Sequence, residues 1–115
     1  MPRSCPFCRI VEGEAQADVV LSSDHVLAFR DVNPQAPTHI LLIPKEHLPS
    51  LRELGDEHVE FLGEVVRAAN HLARAEGVDA TGWRLVANVG SGGGQTVDHL
   101  HFHLLGGRPM RWPPG

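Results

Sequence analysis

The stretch DHLHFHLLGG, residues 98–107, places a histidine at every second position of an otherwise apolar run. In a β-strand successive side chains point to opposite faces, so the three histidines share one face and the apolar residues between them share the other. On a helix the same apolar residues would be spread around the circumference and would leave no stripe to bury. The pattern therefore predicts a strand over residues 98–105, with a polar face made of His99, His101 and His103.

Three neighbouring imidazoles allow three interpretations. As core residues, each would need its own buried hydrogen-bonding partner. As ligands of one metal ion, their nitrogens would have to converge to about 2 Å from a single centre, which is awkward for side chains about 7 Å apart on a straight strand. The interpretation we favour is an anion site, in which a neutral imidazole is the phosphorus nucleophile and its neighbours orient it and donate hydrogen bonds.

The glycine-rich segment before this strand supports the anion site. In NVGSGGGQTVDH, residues 88–99, four glycines lie between Asn88 and Gln95. Glycines allow successive backbone N–H groups to turn inward and form an anion-binding nest. A flexible hairpin loop is the alternative. Beside three aligned histidines, we favour the nest.

The rest of the chain predicts one α+β domain with an antiparallel sheet. Its 115 residues and 42% hydrophobic content are typical of a single domain with its own core. Residues 19–21 and 25–30 predict a hairpin, and the apolar run within residues 38–47 predicts a strand buried on both faces. Residues 83–89 predict a further strand. No βαβ alternation is visible, which favours an antiparallel sheet.

A long helix is predicted over residues 56–76, with Asp56 as its N-cap and Gly77 as its C-cap. Two histidines of the helix, His58 and His71, fall on its polar flank and are expected in solvent, as is His25 at the hairpin turn. The apolar positions recur every three or four residues: Val59, Leu62, Val65, Val66, Ala69, Leu72 and Ala73.

Charge and composition exclude several function classes. The net charge is −4 and no Lys or Arg cluster is present, so we expect no binding to nucleic acid or to an anionic membrane. No apolar stretch approaches the roughly 20 residues that span a bilayer, and no signal peptide is evident, so a cytoplasmic protein is expected. The only cysteines form CPFC, residues 5–8, which suggests a metal half-site or a redox pair rather than a structural disulfide.

Two segments resemble the histidine triad (HIT) family of nucleotide hydrolases and transferases. They are HLHFHLL, residues 99–105, within the longer segment 88–115 that ends in WPPG, and FRDVNPQAPTHILLIPKEH, residues 29–47. With the long helix between them, they are similar to the adenosine phosphoramidase (Hint-like) branch, in its zinc-containing bacterial type. The resemblance implies a single HIT domain over residues 1–115, with a five-stranded antiparallel sheet, one long helix and a short N-terminal helix.

The resemblance also implies an activity, the hydrolysis of purine nucleoside 5′-phosphoramidates and related nucleoside monophosphate conjugates. His101 would attack the α-phosphorus and carry the nucleotidyl group as a covalent intermediate, with His39 and His103 orienting it and the Thr96 hydroxyl beside the phosphate. Asp31 would accept hydrogen bonds from the ribose hydroxyls. The implied nucleotide-binding residues are Asp31, Asn88, Gly94, Gln95, Thr96, His101 and His103, with a base pocket of Phe7, Ile10, Phe29 and Val32.

A structural zinc ion and a homodimer are further implications of the resemblance. The zinc ligands would be Cys5, Cys8, His47 and His99, which make a closed Cys2His2 set; packing of the cysteines as small apolar residues is the alternative. In the dimer, Trp112 of one chain would approach the site of the other. Two other functions stay open: hydrolysis of dinucleoside polyphosphates, and a zinc-stabilised nucleotide-binding or interaction module with little catalysis.

Overall fold

Five strands and two α-helices make up the computed structural model, which describes residues 2 and 4–115. No helix among these residues is both long and apolar enough to span a bilayer. Short 3-10 turns occupy Leu51–Glu53, Asp56–His58 and Ser91–Gly93. The helices and strands are α1 (Pro6–Val11), β1 (Val19–Ser22), β2 (Val26–Arg30), β3 (Thr38–Pro44), α2 (Val59–Ala75), β4 (Trp83–Ala87) and β5 (Phe102–Gly106).

The strands form one antiparallel sheet in the order β1-β2-β3-β5-β4. Strand β3 is at the centre, and all seven of its residues are buried, as its continuous apolar run predicts. The hairpin of β1 and β2 and the antiparallel α+β architecture are confirmed.

The two faces of the sheet pack against different helices. On one face, α2 packs over a core that includes Leu100, Phe102 and Leu104. On the other face, α1 contributes Phe7 and Cys8 to a second buried cluster. Since side chains alternate between the faces, the three histidines lie on the α1 side, away from the long helix. The predicted alternation of apolar and imidazole positions is thus confirmed.

The strand that carries the histidines is shorter than predicted. Strand β5 begins at Phe102, so His99 and His101 precede it, although residues 98–105 were expected to be strand throughout. The ladder between β3 and β5 ends at the pair Leu42 and Phe102. Pro44, two residues further along β3, has no N–H to donate, and the Leu100 N–H instead donates to the Leu48 carbonyl at 2.6 Å.

The start of the long helix also differs from the prediction. Asp56 is the first residue of a 3-10 turn and not the N-cap of α2, which begins at Val59. The His58 ring accepts a hydrogen bond from the Gly55 N–H at 3.0 Å, and its side chain is only 12% exposed. The expectation of a solvated His58 is therefore wrong, because the ring caps the turn. His71 is exposed, as predicted.

The apolar surface of α2 is wider than the sheet can cover. Val59, Leu62 and Val66 were predicted on the apolar face, yet they are 66%, 37% and 52% exposed. Phe61 and Ala68 are buried instead. The buried face is therefore rotated relative to the predicted one, and an exposed apolar stripe remains at three- and four-residue spacing.

His25 is exposed at the hairpin turn, as predicted, and it also binds the long helix. Glu64 accepts hydrogen bonds from the His25 N–H, from the His25 ring and from the Ser23 hydroxyl. Burial raises the pKa of Glu64, but these hydrogen bonds outweigh it and lower the pKa to about 2. The same contact raises the pKa of His25. The ionised carboxylate thus attaches the turn to α2, and this contribution to stability is lost as the pH falls from about 4.5 towards 2.

Candidate active site

Three imidazoles from two segments converge on the α1 side of the sheet. The His101 and His103 ring centroids are 5.0 Å apart, and those of His103 and His39 are 5.2 Å apart. His39 comes from β3, where it lies opposite Leu105 of β5. The ring centroids of His101 and His103 are therefore closer than the roughly 7 Å expected between alternate residues of a strand. His101 is 5% exposed.

The hydrogen bonds of the site assign a proton to each of these rings. The Gln35 backbone N–H donates to His39 Nδ1 at 3.0 Å, so His39 carries its proton on Nε2. That proton is donated to His103 Nδ1 at 2.9 Å, which places the His103 proton on Nε2. His101 Nδ1–H donates to the His99 carbonyl at 2.8 Å, which leaves the lone pair of His101 on Nε2. The geometry therefore produces one unprotonated imidazole nitrogen beside one imidazole donor.

Both flanking histidines are held neutral. Burial, together with the neighbouring His101 and His39, lowers the pKa of His103 to about 4. Burial also lowers the pKa of His39, although the Asp31 carboxylate partly opposes this effect and Arg108 adds to it. Since a histidine with a lowered pKa is neutral above that value, the chain of hydrogen bonds persists at neutral pH.

Asp31 follows directly after β2 and joins this cluster. Its Oδ2 is 3.4 Å from His39 Nε2, and its Oδ1 accepts a hydrogen bond from the Asn33 N–H at 2.9 Å. The carboxylate keeps acceptor capacity for further hydroxyl groups, since each oxygen has two lone pairs. Asp31, His39 and His103 also form a compact group of candidate metal-binding atoms. The Gln35 N–H argues against a metal there, because it holds the His39 proton on the nitrogen that would have to bind.

The predicted base-pocket residues are only partly brought together. Phe7 and Phe29 are buried in the same cluster, with ring centroids 5.5 Å apart in an edge-to-face contact. Ile10 is half-buried against that cluster. The Phe7 ring also lies 5.2 Å from the His101 ring. Val32, in contrast, is 99% exposed.

The glycine-rich loop is more self-contained than predicted. The N–H groups of Gly93, Gly94 and Gln95 donate to carbonyls of Gly90 and Ser91, so the expected row of free N–H donors is wrong for these three residues. These N–H groups take part in the 3-10 turn and its end, because each lies within hydrogen-bonding distance of a carbonyl three to five residues earlier. Gly90 and Gly94 have φ values of +71° and +86°, which favour glycine.

The other residues predicted to bind the nucleotide from this loop, Asn88, Gln95 and Thr96, do not lie together. The Gln95 amide accepts from the Gly90 N–H and donates to the carbonyls of Pro49 and Val97, so it holds the loop together. Asn88 lines the same cavity as His39 and His103. Thr96 is exposed and lines a different cavity, together with Cys5, His47 and Asp98.

The donor atoms of the predicted metal ligands all lie within 4.8 Å of one another. His47 Nδ1 is 3.1 Å from Cys8 Sγ and 3.2 Å from His99 Nδ1. His99 Nδ1 is 3.4 Å from Cys5 Sγ and 3.6 Å from Cys8 Sγ. A tetrahedral zinc ion with two nitrogen and two sulfur ligands has ligand-to-ligand edges of about 3.4–3.8 Å. The four donor atoms thus have nearly the spacing that zinc requires.

The protonation of the cluster also fits a metal cation. His99 Nε2–H donates to the Pro44 carbonyl at 2.9 Å, which leaves a lone pair on the Nδ1 that faces the cysteines. Burial raises the pKa of the Cys8 thiol to about 11, and Cys5 adds to this effect. Two buried thiols this close together would both be deprotonated only beside a bound cation. The residues therefore fit zinc.

The site and fold define a class of protein, the nucleotide hydrolases that use a triad of histidines. The sequence matches the HIT domain over residues 12–110. A crystal structure of a HIT family hydrolase from Legionella pneumophila is similar, with a TM-score of 0.95 and 53% identity over 97% of this chain and all of that one.

Two relatives of known name are comparably similar. The purine nucleoside phosphoramidase of Escherichia coli K12 is 45% identical over 104 residues, 90% of this chain and 87% of that protein. A 14 kDa zinc-binding protein of Zea mays is 49% identical over 111 residues, 95% of this chain and 86% of that protein. The chain belongs to the HIT family and is a nucleotide hydrolase.

Three contributors to the site, Gln35, Arg84 and Arg108, were not predicted from the sequence. The Gln35 N–H sets the proton position on His39, but a backbone amide is the same in every residue except proline. Arg84 and Arg108 line the cavity beside His103. A hint for Arg84 was available, since it has the parity of Val86 on β4, directly opposite His103.

Proposed function

We propose that the protein hydrolyses purine nucleoside 5′-phosphoramidates and related nucleoside monophosphate conjugates through a covalent nucleotidyl–His101 intermediate. His101 Nε2 attacks the α-phosphorus, the bond from phosphorus to the leaving amine breaks, and water then releases the nucleotide from the histidine. Over the whole cycle, water supplies the hydroxyl on phosphorus and the proton on the amine. The name of the E. coli relative supports this activity.

One observation carries the proposal, the hydrogen bond from His101 Nδ1–H to the His99 carbonyl. It leaves the lone pair of His101 on the nitrogen that has to attack, and it stabilises the imidazolium that forms when the N–P bond is made. The His103 Nε2–H next to it is a neutral donor for a phosphate oxygen. Nucleophile and donor are therefore in position before substrate binds.

The nucleotide contacts of the proposal use the residues of the same cluster. Asp31, beside His39, accepts from the ribose hydroxyls, and Asn88 donates to the phosphate in the cavity it shares with His39 and His103. The base packs against the exposed edge of the cluster of Phe7 and Phe29. Thr96 and Gln95 are candidates on the resemblance alone, because their observed contacts do not include His39, His101 or His103.

A substrate comparison tests the activity. We expect kcat/KM for adenosine 5′-phosphoramidate to exceed that for diadenosine triphosphate by about 100-fold, because the proposed contacts involve a single nucleoside and differential transition-state binding of this size is ordinary. Both substrates are measured by release of AMP. Faster hydrolysis of diadenosine triphosphate would favour the polyphosphate hydrolase, and AMP binding without turnover of either substrate would favour the binding module.

We also propose that Cys5, Cys8, His47 and His99 hold a structural zinc ion. The donor spacing and the His99 proton position support it, as does the name of the maize relative. A zinc ion there would cross-link α1 to the segment before β5 and has no open coordination position for a reaction. Because the His99 carbonyl accepts the His101 proton, the cluster also positions the nucleophile.

A homodimer is proposed on the exposed stripe of α2, formed by Val59, Leu62 and Val66. Apolar surface of this kind is covered when two copies pack around a two-fold axis. Light scattering should give twice the 12.5 kDa mass of one chain. The variant Val66→Glu should shift the mass towards one chain, whereas Arg67→Glu on the next helix position should not; a wild-type mass of one chain would contradict the dimer.

A further inference from the structure

The loop between β2 and β3 is constrained by two prolines and by its own hydrogen bonds. The prolines belong to the segment NPQAP, residues 33–37, and each fixes its own φ angle at about −65°. The Asn33 N–H donates to Asp31 Oδ1 at 2.9 Å, and the Gln35 side-chain amide donates to the Asn33 carbonyl at 3.0 Å. The backbone of this loop is therefore held in place next to His39.

The backbone of Gln35 is hydrogen-bonded on both sides of its Cα atom. Its carbonyl accepts from Arg108 Nε at 2.8 Å, and its N–H donates to His39 Nδ1 at 3.0 Å. The His39 side chain is only 4% exposed. Since water has little access to the ring, a donor aimed at Nδ1 makes it costly to place a proton on that nitrogen as well.

The proton position on His39 determines the proton position on the next ring. With its proton on Nε2, His39 donates to His103 Nδ1 at 2.9 Å, and the His103 proton lies on Nε2. With its proton on Nδ1, His39 would have to accept from His103 Nδ1–H, and His103 Nε2 would carry a lone pair. One proton on His39 therefore decides whether His103 presents a donor or an acceptor beside His101.

The charged groups around His39 do not by themselves keep the ring in the first of these forms. Asp31 favours a proton on Nε2, 3.4 Å away, but it also favours a second proton on Nδ1, because it stabilises a cationic ring. The Gln35 N–H opposes a proton on Nδ1 in both cases. The titratable and charged groups of this region are Asp31 after β2, His103 on β5, Arg84 on β4, and Arg108 and Arg111 in the C-terminal segment.

We propose that the Gln35 backbone N–H is a positioning group for the reaction, which keeps the His39 proton on Nε2 so that His103 offers Nε2–H to a phosphate oxygen. This inference rests on the proposed function and adds a group that acts through other residues and touches no substrate atom. The side chain of Gln35 is not needed for the role, because only the backbone N–H contacts His39.

Nitrogen NMR of the 15N-labelled wild-type protein tests the proton positions directly. We expect both His39 and His103 to show a protonated Nε2 and an unprotonated Nδ1 at neutral pH. A scalar coupling across the hydrogen bond should connect the Gln35 amide nitrogen with His39 Nδ1. A proton on His39 Nδ1, or the absence of this coupling, would overturn the proposal without the use of a variant.

Gln35→Pro removes the N–H, whereas Gln35→Ala keeps it and removes only the side chain. We expect Gln35→Pro to mix the two tautomers of His39 and to raise its pKa, because the neutral ring loses a hydrogen bond. Its kcat for adenosine 5′-phosphoramidate should fall about tenfold with KM within about threefold of wild type, since the His103 donor acts mainly in the transition state. Gln35→Ala should keep the wild-type tautomer.

A proline at another loop glutamine is the matched control. Gln16 is exposed in the loop before β1, and Gln16→Pro should leave both kcat and the His39 spectrum unchanged. Equal losses of kcat in Gln35→Pro and Gln35→Ala would overturn the proposal, because the side chain and not the N–H would then be responsible. If Gln35→Pro does not fold, the wild-type coupling decides the proposal.

The outcomes separate this proposal from the proposed function. Wild-type hydrolysis of phosphoramidates, together with a folded Gln35→Pro variant of unchanged tautomer and kcat, would overturn the positioning role and leave the activity intact. No turnover by the wild-type protein would contradict the proposed function, on which the positioning role rests, whatever proton positions the spectra show.

Discussion

Replacing His101 with alanine should lower kcat for phosphoramidate hydrolysis by about four orders of magnitude. The hydrogen bonds of the site leave His101 Nε2 unprotonated and place a proton on the neighbouring His103 ring. The substitution therefore removes the atom that forms the bond to phosphorus. AMP should still bind within about tenfold of the wild-type affinity, because the nucleophile contributes mainly in the transition state. Stopped-time assays and calorimetry of AMP binding measure the two quantities.

The control for this variant is His71→Ala, which removes an exposed imidazole from α2 and should leave kcat unchanged. Intact-mass measurement of quenched wild-type protein should show one added nucleotidyl group, and His101→Ala should show none. His101→Gln preserves more of the side-chain volume and gives the same test if the alanine variant is unstable. Wild-type turnover in either folded variant would rule out the covalent mechanism.

Removing the proposed zinc should have the second largest effect, a fall in Tm of about 10–15 °C. The reason is that a ligand at about 100 times its Kd stabilises the folded state by roughly 2.7 kcal/mol, and each kcal/mol shifts Tm by roughly 4 °C. Metal analysis of the purified protein should give one zinc per chain, and calorimetry before and after chelation should give the shift. We also expect kcat to fall about tenfold, since the cluster positions the His99 carbonyl that holds His101.

Variants of the ligands make this prediction specific. Cys8→Ser and His47→Gln should each lose zinc and lower Tm, whereas His71→Gln, which alters a histidine far from the cluster, should keep both. Restoring zinc after chelation should restore Tm in the wild-type protein. Protein purified without metal, with a Tm that chelator does not change, would contradict the zinc site.

Both predictions depend on the same short segment, residues 99–103. His99 faces the cysteines through Nδ1 and accepts from His101 through its carbonyl, so one residue contacts both the metal cluster and the nucleophile. His103 then receives the His39 proton. The absence of strand pairing before Phe102 frees the backbone of this segment for these contacts, which a regular ladder would have used for pairing.

The sequence could predict roles that depend on the type of side chain and on the face of the strand to which it points. The alternation of His99, His101 and His103 with apolar residues indicated both the strand and the imidazole face, and the face is confirmed. Boundaries were less predictable: β5 starts at Phe102 because of Pro44 on a neighbouring strand, and the His58 ring caps a turn that local propensity does not show.

The sequence by itself determined which groups are available: imidazoles on one side of a strand, two thiols near the N-terminus, glycines in a loop and a helix with a broad apolar surface. Only the tertiary structure decided which nitrogen of each histidine carries a proton, how close the four metal-binding atoms lie, and that three arginines surround one cavity. The physical reason is that these properties depend on contacts between distant segments. Many of those contacts involve backbone N–H and C=O groups, which are nearly the same in every residue and leave no trace in the order of the side chains.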